Sequence, residues 1–564
     1  MRLLVWTIRN GERIAVFAVI LGVVIILQIL GGVYSSSFGE LDEPMHLVSS
    51  LMVRDFIATL DFHHPWQFSQ QYYLHYPKVG IGHWPPLFHA MLGVWFLILG
   101  ASRATSMIFI AIIAATTACI IYSAGKRLIG RWAGALAAVL FVASPLVQES
   151  SALVMTEHLY TLLMVVSTLC FARFVRTGRV VDSLGFGSIA TLAILTSGSG
   201  WALGLVPALT LALTSRWYLL RRLEFWLGAV PVLIGCLPWY ALTLKMQEGT
   251  WVGGGTSFWL EAAQDFPWFI YLGLGLPVLF FALIGIWATI VSVKNRADVM
   301  PEWAALAALA IATFILHCAL PVGIEKRYMM PLLPSLVLFS VAGIHAIAHQ
   351  LKERLPSGVC HFGLVAGLVA AFYIQTFVLP VRLQNRGYET LVRDVRTRVS
   401  NVPQVWLISS GSMGEGSLVA AVALQEARLG SYVLLGKKIL AGGDMIGRYA
   451  ADRFDTPEKL ATLLDELPVT IIVIDDQVPP TQHYPYHDRL KNLVTRESGR
   501  WEPIGSYPET WGGHLFENAL HVYARRPVAT LALGPPVIRL SRLVGLTGRG
   551  ELRGADHEPP AGHP

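Results

Sequence analysis

Three acids and a histidine stand together just past the first apolar run, in Glu40-Leu41-Asp42-Glu43-Pro44-Met45-His46. Pro44 suits the first turn of a helix, with Glu43 or Asp42 as its cap. Val48, Leu51, Met52, Phe56 and Leu60 then recur at helical spacing, which predicts an amphipathic helix lying in the membrane interface. Its start would present two carboxylates and an imidazole at the membrane surface; the simpler reading is helix capping at a loop. A second cluster, Tyr76-Pro77-Lys78-Val79-Gly80-Ile81-Gly82-His83-Trp84-Pro85-Pro86-Leu87, offers Lys78 and His83 as cations for a phosphate. The simpler reading there is a Trp-Pro interfacial anchor with a snorkelling lysine. A third holds Glu149 and Glu157-His158. Glu149 reads as a solvated acid, but Glu157 opens an apolar run, where an unpaired acid is costly. The fourth is Glu325-Lys326-Arg327-Tyr328-Met329-Met330-Pro331, where Arg327 is fixed in charge and suited to phosphate, or to anchoring lipid headgroups. Acids alone would suit cation binding. Acids with Lys and Arg suit a phosphate-bearing substrate that needs a base nearby.

The elements that must position these groups are membrane helices. Hydrophobic residues make up 54% of the 564 and charged residues 14%, where a soluble chain carries about a quarter charged. Mean hydropathy is +0.54. The net charge of +6 does not point to nucleic acid, because the basic residues sit in short clusters between apolar runs, as topogenic charges do. Cys119, Cys170, Cys236 and Cys318 lie inside apolar runs and Cys360 at the edge of one; no CxxC pair exists, which argues against disulfides and a thiolate metal site. Arg2, Arg9 and Arg13 precede an apolar run over 14–33 that is long and has no small-residue cleavage site, as in a retained signal anchor.

Twelve apolar runs occur, near 14–33, 84–100, 104–125, 132–147, 152–172, 182–198, 199–215, 222–244, 268–293, 302–319, 328–349 and 361–380. Clustered basic residues mark the N-terminus and the connectors near 126–131, 173–179, 216–222, 294–296 and 352–354 as cytoplasmic. Alternation fails if every run crosses. It is restored if 84–100, which is short and opens on His83-Trp84-Pro85-Pro86, is a juxtamembrane or re-entrant helix on the outer face. Eleven transmembrane helices then follow, with the N-terminus inside, a long outer loop over 34–103, a second outer loop near 148–157, and everything after Pro380 outside. The Ser197-Gly198-Ser199-Gly200 junction is the weakest point, since the runs on either side are barely long enough to cross.

The expected organisation is a mainly α polytopic membrane domain over 1–384, an extracytoplasmic α/β domain over 385–530, and a disordered tail over 531–564. In the α/β part, 405–409, 432–435 and 469–474 read as strands, 416–428 and 457–467 as helices, and 520–524 as a closing edge strand. Gly411-Ser412-Met413-Gly414-Glu415-Gly416 follows a strand and opens a helix. It is not a dinucleotide fingerprint, and acceptor recognition or simple capping suits it better than nucleotide binding.

On the Asp-Glu pair at 42–43, Pro85-Pro86-Leu87, the acid Glu157 and Arg327-Tyr328-x-x-Pro331, the chain resembles the GT-C superfamily of membrane glycosyltransferases. It is most similar to the protein O-mannosyltransferase and aminoarabinose–lipid A transferase group, over about residues 1–350. Where that group often has Asp in the second outer loop, this chain has Glu157. The resemblance implies a polyprenyl-phosphate sugar donor and an acceptor that is a protein, lipid or polysaccharide. It implies catalytic roles for Asp42, Glu43 and Glu157, with Asp42 as the base in an inverting displacement, and substrate contacts from Lys78, His83, Arg327 and Tyr328. A divalent metal (Mg, Mn or Zn) could be held by Glu157, His46 or Glu43. It also implies a multi-pass protein of the cell membrane. The rival reading is a transporter or flippase of an envelope precursor, although ionisable residues within the runs are few.

Overall fold

The computed structural model describes residues 2–35, 38–80, 82–247, 255–295, 300–351, 363–365, 367–371, 386–399, 403–426, 429–441, 454, 456–511, 514–526, 537–540 and 550–553. Among these, six helices are long and apolar enough to cross a membrane: Gly11–Leu30, Arg103–Leu128, Glu157–Thr177, Leu223–Thr243, Pro301–Ala319 and Lys326–Gln350. Two bent pairs raise the number to eight if each is one span. The charge count implies eleven, and the shortfall has local causes. The 268–293 run is two helices that meet at Gly275, at φ +80°, with a bend of 108°. The 132–147 run breaks by 60° between Ala143 and Pro145. The 182–215 region is divided into Val180–Ile194, a 3-10 stretch Gly198–Gly204, and Val206–Thr214. The run at 361–380 lies mostly outside the described residues. Leu87–Leu99 has 13 residues, too few at about 1.5 Å each to cross a ~30 Å hydrocarbon layer.

Contacts divide the chain into two compact units. One comprises Met1–Val33, Trp84–Phe88 and Met107–Arg382; the other comprises Tyr34–His83, His89–Ser106 and Leu383–Pro564. The segment expected as an outer loop of the membrane domain, 34–103, therefore groups almost wholly with the C-terminal residues.

In the first unit, apolar side chains such as Ile26, Leu30, Leu233 and Ile234 point outward, a surface that lipid satisfies and water does not. Basic residues of the connectors pair with acids. Arg127 and Arg176 meet the same buried Glu302 at 3.3 and 2.8 Å, and Glu12 meets Lys126 at 2.7 Å. The Leu276–Asn295 and Leu333–Leu351 helices pack through glycines. A Cβ on Gly285 would fall 1.8 Å from the Phe339 carbonyl oxygen, and one on Gly343 would fall 2.0 Å from that of Phe281. Small residues let membrane helices approach backbone to backbone. Gly285→Val is therefore expected to cost roughly 1–3 kcal/mol or more of stability by overpacking, read as a lower apparent melting temperature in detergent; an unchanged melt would refute the close crossing.

The second unit is built on a five-stranded sheet. Its strands are β1 (Val405–Ser409), β2 (Tyr432–Leu435), β3 (Ile471–Asp475), β4 (Trp501–Trp511) and β5 (His514–Arg525), in the order β2-β1-β3-β5-β4. The first three are parallel, fully buried and rich in Val, Ile and Leu, as strands covered on both faces must be. Residues 520–524, expected as the closing edge, lie in β5, which is flanked by β3 and β4. The edge is β4, whose prolines disguise it in the sequence. Leu74, from the Pro65–His75 helix, joins the apolar core with Leu407 and Leu434, and His75 stacks on Tyr432 at 3.9 Å. Of the tail, only 537–540 and 550–553 are described, and they pair as antiparallel strands.

Candidate functional site

Asp42 stands at the N-cap of the Glu43–Thr59 helix, but its side chain makes no capping hydrogen bond. The helix start is held instead by the Asp42 carbonyl, which accepts the Met45 and His46 N–H groups at 3.0 and 3.1 Å. The half-buried carboxylate of Asp42 thus makes no capping bond. Glu43 is engaged with other groups. It is fully buried, accepts the Gly39 N–H at 2.8 Å, and forms a salt bridge with Arg103. Arg103 also covers the Phe38 ring. A carboxylate so enclosed sets the backbone of the Gly39–Asp42 turn. The resemblance implied a catalytic acid at this position; the structure shows it buried in a salt bridge.

Lys78 and His83 belong to the same unit. Lys78 is 2% exposed, and its Nζ donates to the Ser412 carbonyl at 3.3 Å. Burial pushes its ammonium down to about 8, Lys437 pushes the same way, and Glu415 and Asp42 pull it back. His83 is likewise lowered by burial and partly restored by the charge of Asp42. Asp42 is therefore the nearby anion that favours charge on both cations. The glycine-rich stretch explains part of this packing. A Cβ on Gly416 would stand 3.1 Å from Pro44 Cγ and 3.5 Å from Lys78 Cε, so the glycine lets the Ser412–Gln425 helix sit on the start of the Glu43–Thr59 helix. That is close packing, and it supplies no phosphate loop.

His46, named as a metal ligand, faces His89 instead: Nδ1 and Nε2 lie 3.0 Å apart and the rings stack at 5.2 Å. No group of three or more His, Cys, Asp or Glu that could hold a metal occurs among the described residues. Among the described residues, the side chains do not fit a resident ion.

Glu157, Arg327 and Tyr328 lie together in the first unit. Glu157 begins the Glu157–Thr177 helix, 4% exposed, with Arg327 Nε at 3.8 Å from its Oε1. Arg327 also pairs with Glu325 and lies over the Tyr328 ring, which stacks on His317. Lys326 meets Glu149 at 2.6 Å, so Glu149 is not merely a solvated acid. The cations of this motif are matched to acids.

Three residues escaped the sequence reading. Arg103 was a lone base in a short connector, His89 lay within an apolar run, and Lys437 belongs to the α/β part. Each gains its meaning from a partner tens to hundreds of residues away.

Residues 83–241 match the family model described as dolichyl-phosphate-mannose-protein mannosyltransferase. Among solved structures, ArnT from Cupriavidus metallidurans bound to undecaprenyl phosphate is similar, with a TM-score of 0.55 and 14% identity, over 91% of this chain and 98% of that chain. The Archaeoglobus fulgidus oligosaccharyltransferase AglB, in complex with an inhibitory peptide and a dolichol-phosphate, gives 0.52 and 12%, over 93% and 76%. The same archaeal enzyme in complex with Zn and sulfate gives 0.52 and 13%, over 89% and 73%. No curated protein matches the sequence. The likeness is one of fold: the chain shares the fold of ArnT and AglB.

Proposed function

We propose that this chain, built on the GT-C fold, is a membrane glycosyltransferase that moves a hexosyl or pentosyl group from a polyprenyl-phosphate donor to an acceptor on the outer face of the cell membrane. One observation carries the reading: Asp42 offers a carboxylate not used in capping, in the same unit as a buried lysine and a histidine whose charged forms it favours. The matching family and the similar structures, two of them bound to polyprenyl phosphates, support it. A lipid-borne donor also gives the apolar spans a purpose. Asp42 takes the proton from the acceptor hydroxyl or amine as that atom attacks the anomeric carbon. The phosphate departs from the opposite face, so the anomeric configuration inverts. Phosphate is a good leaving group and needs no acid, only cations to offset its growing charge. Lys78 supplies one such cation and His83 is proposed as another; in the first unit, Arg327, backed by Glu157 and Tyr328, is proposed as a phosphate-binding group in its own right. In this reading the N-terminus is cytoplasmic and the α/β region lies outside.

The test is a screen of radiolabelled polyprenyl-phosphate sugars with the purified protein in nanodiscs. Label should leave the lipid phase with at least one donor. Solute movement in sealed vesicles with no sugar released from any donor would replace this reading with the transporter. A pH dependence follows from Lys78. A lysine at its ordinary 10.5 would stay charged to high pH; at about 8 it loses its proton within the assay range. Donor kcat/KM should then fall by about tenfold per pH unit above pH 8, and a profile flat to pH 9.5 would remove Lys78 from donor binding.

A further inference from the structure

A cavity of about 230 Å³ opens at the carboxyl ends of β1 and β3. The sheet changes its direction of winding there: β1 is followed by β2 on one side, and the chain returns to β3 on the other. In open α/β sheets, ligands bind in that crevice. The volume is below the ~300–1,000 Å³ of drug-sized pockets and suits one sugar ring.

The lining is polar where it is fixed and apolar where it is open. Asp475 is 3% exposed, and its carboxylate accepts the Gln477 N–H at 2.7 Å, the Ser410 hydroxyl at 2.5 Å and the Tyr388 hydroxyl at 3.2 Å. These bonds hold the plane of the carboxylate without neutralising it. Its buried neighbour Glu509 is pushed well up, first by burial and then by the adjacent Asp475. Gln482 accepts the Ser412 N–H through Oε1 at 2.7 Å, which fixes the direction of its amide. Met413, Leu41 and Pro479 supply the apolar contacts. An oriented carboxylate and amide beside an apolar wall can read vicinal hydroxyls on a ring with a C–H face. A phosphate would meet the Asp475 charge. Gly414, at the mouth, has a packing reason for its identity, since a Cβ there would fall 2.0 Å from Ser410 Oγ and 2.2 Å from the Tyr388 hydroxyl.

We infer that this cavity binds one sugar ring of the acceptor through adjacent hydroxyls held by Asp475 and Gln482. The word acceptor rests on the proposed transferase reading; the sugar binding does not. Glu40 and Leu41 also line the cavity, and the next residue is Asp42. The base and the bound ring are thus adjacent along the chain.

The experiment uses the full chain in nanodiscs and a panel of methyl glycosides (gluco, galacto, manno and N-acetylglucosamine), read by saturation-transfer NMR. At least one should bind, with a Kd on the order of millimolar. Asp475→Asn, and Met413→Trp filling the rim, should each weaken it by at least about tenfold at an unchanged melting temperature. If Asp475→Asn fails to fold, Met413→Trp decides alone. No glycoside bound by the wild type, or binding that survives Met413→Trp, overturns the inference. Binding that persists in a protein that turns over no donor leaves the cavity standing and removes the transferase. Transfer by Met413→Trp with an unchanged acceptor KM does the reverse.

Discussion

Asp42→Asn is expected to lower kcat for sugar transfer by roughly 10²–10⁴, with donor binding at pH 7 nearly unchanged and the fold intact. Asparagine keeps the shape of the side chain and removes the proton acceptor. The carboxylate makes no capping bond, so its loss should not loosen the Glu43–Thr59 helix. A base that serves only the attacking acceptor is used in the transition state, and its removal shows in kcat and not in KM. The same charge also favours the protonated forms of Lys78 and His83. Without it, the alkaline limb of donor kcat/KM should move to lower pH, a displacement that a merely structural residue would not cause. The measurement is single-turnover transfer in nanodiscs across pH 6–9. Full activity in Asp42→Asn removes the base from the mechanism. A lost fold in place of lost chemistry would return Asp42 to the status of a cap.

The extent to which all this was legible depended on whether the signal was local. Parallel strands β1, β2 and β3 are short continuous apolar runs between turn residues, and they stand at or within two residues of where the pattern puts them. β4 hides because Pro503 and Pro508 argue against a strand; the ladder tolerates them at an edge, where its register shifts between Pro503 and Gly505 and again between Tyr507 and Glu509. Composition did not show the breaks inside continuous apolar runs, at Gly275 and at Ser144-Pro145. Asp42 and Glu43 looked alike as a pair, and only burial separates them: one is half exposed, the other enclosed with Arg103. Lys78 was found by type, but its lowered basicity comes from burial and from Lys437, more than 300 residues on, which no spacing rule could supply.

Arg103→Met is expected to be the most destabilising single change in the second unit. Arg103 is 7% exposed and Glu43 0%, so both ions have lost their water, and removing one leaves a buried charge uncompensated. Such a loss costs roughly 3–5 kcal/mol. Glu43→Gln should also be costly, because it leaves the always-charged guanidinium buried without this counter-ion, although the amide can still accept the Gly39 N–H and Arg103 keeps the Phe38 ring. The double variant should recover part of the loss, since an apolar and a neutral group can share the space the ions held. Function should follow geometry. Glu43 ties Gly39 to the helix start, so its partner fixes the turn that presents Asp42, and kcat should fall in Arg103→Met even at a temperature where the protein is fully folded. Thermal melts of the two single variants and the double, each with transfer rates at 20 °C below its own midpoint, separate the two effects. A melt and a rate both equal to wild type in Arg103→Met would mean that the buried pair neither holds the turn nor positions the base.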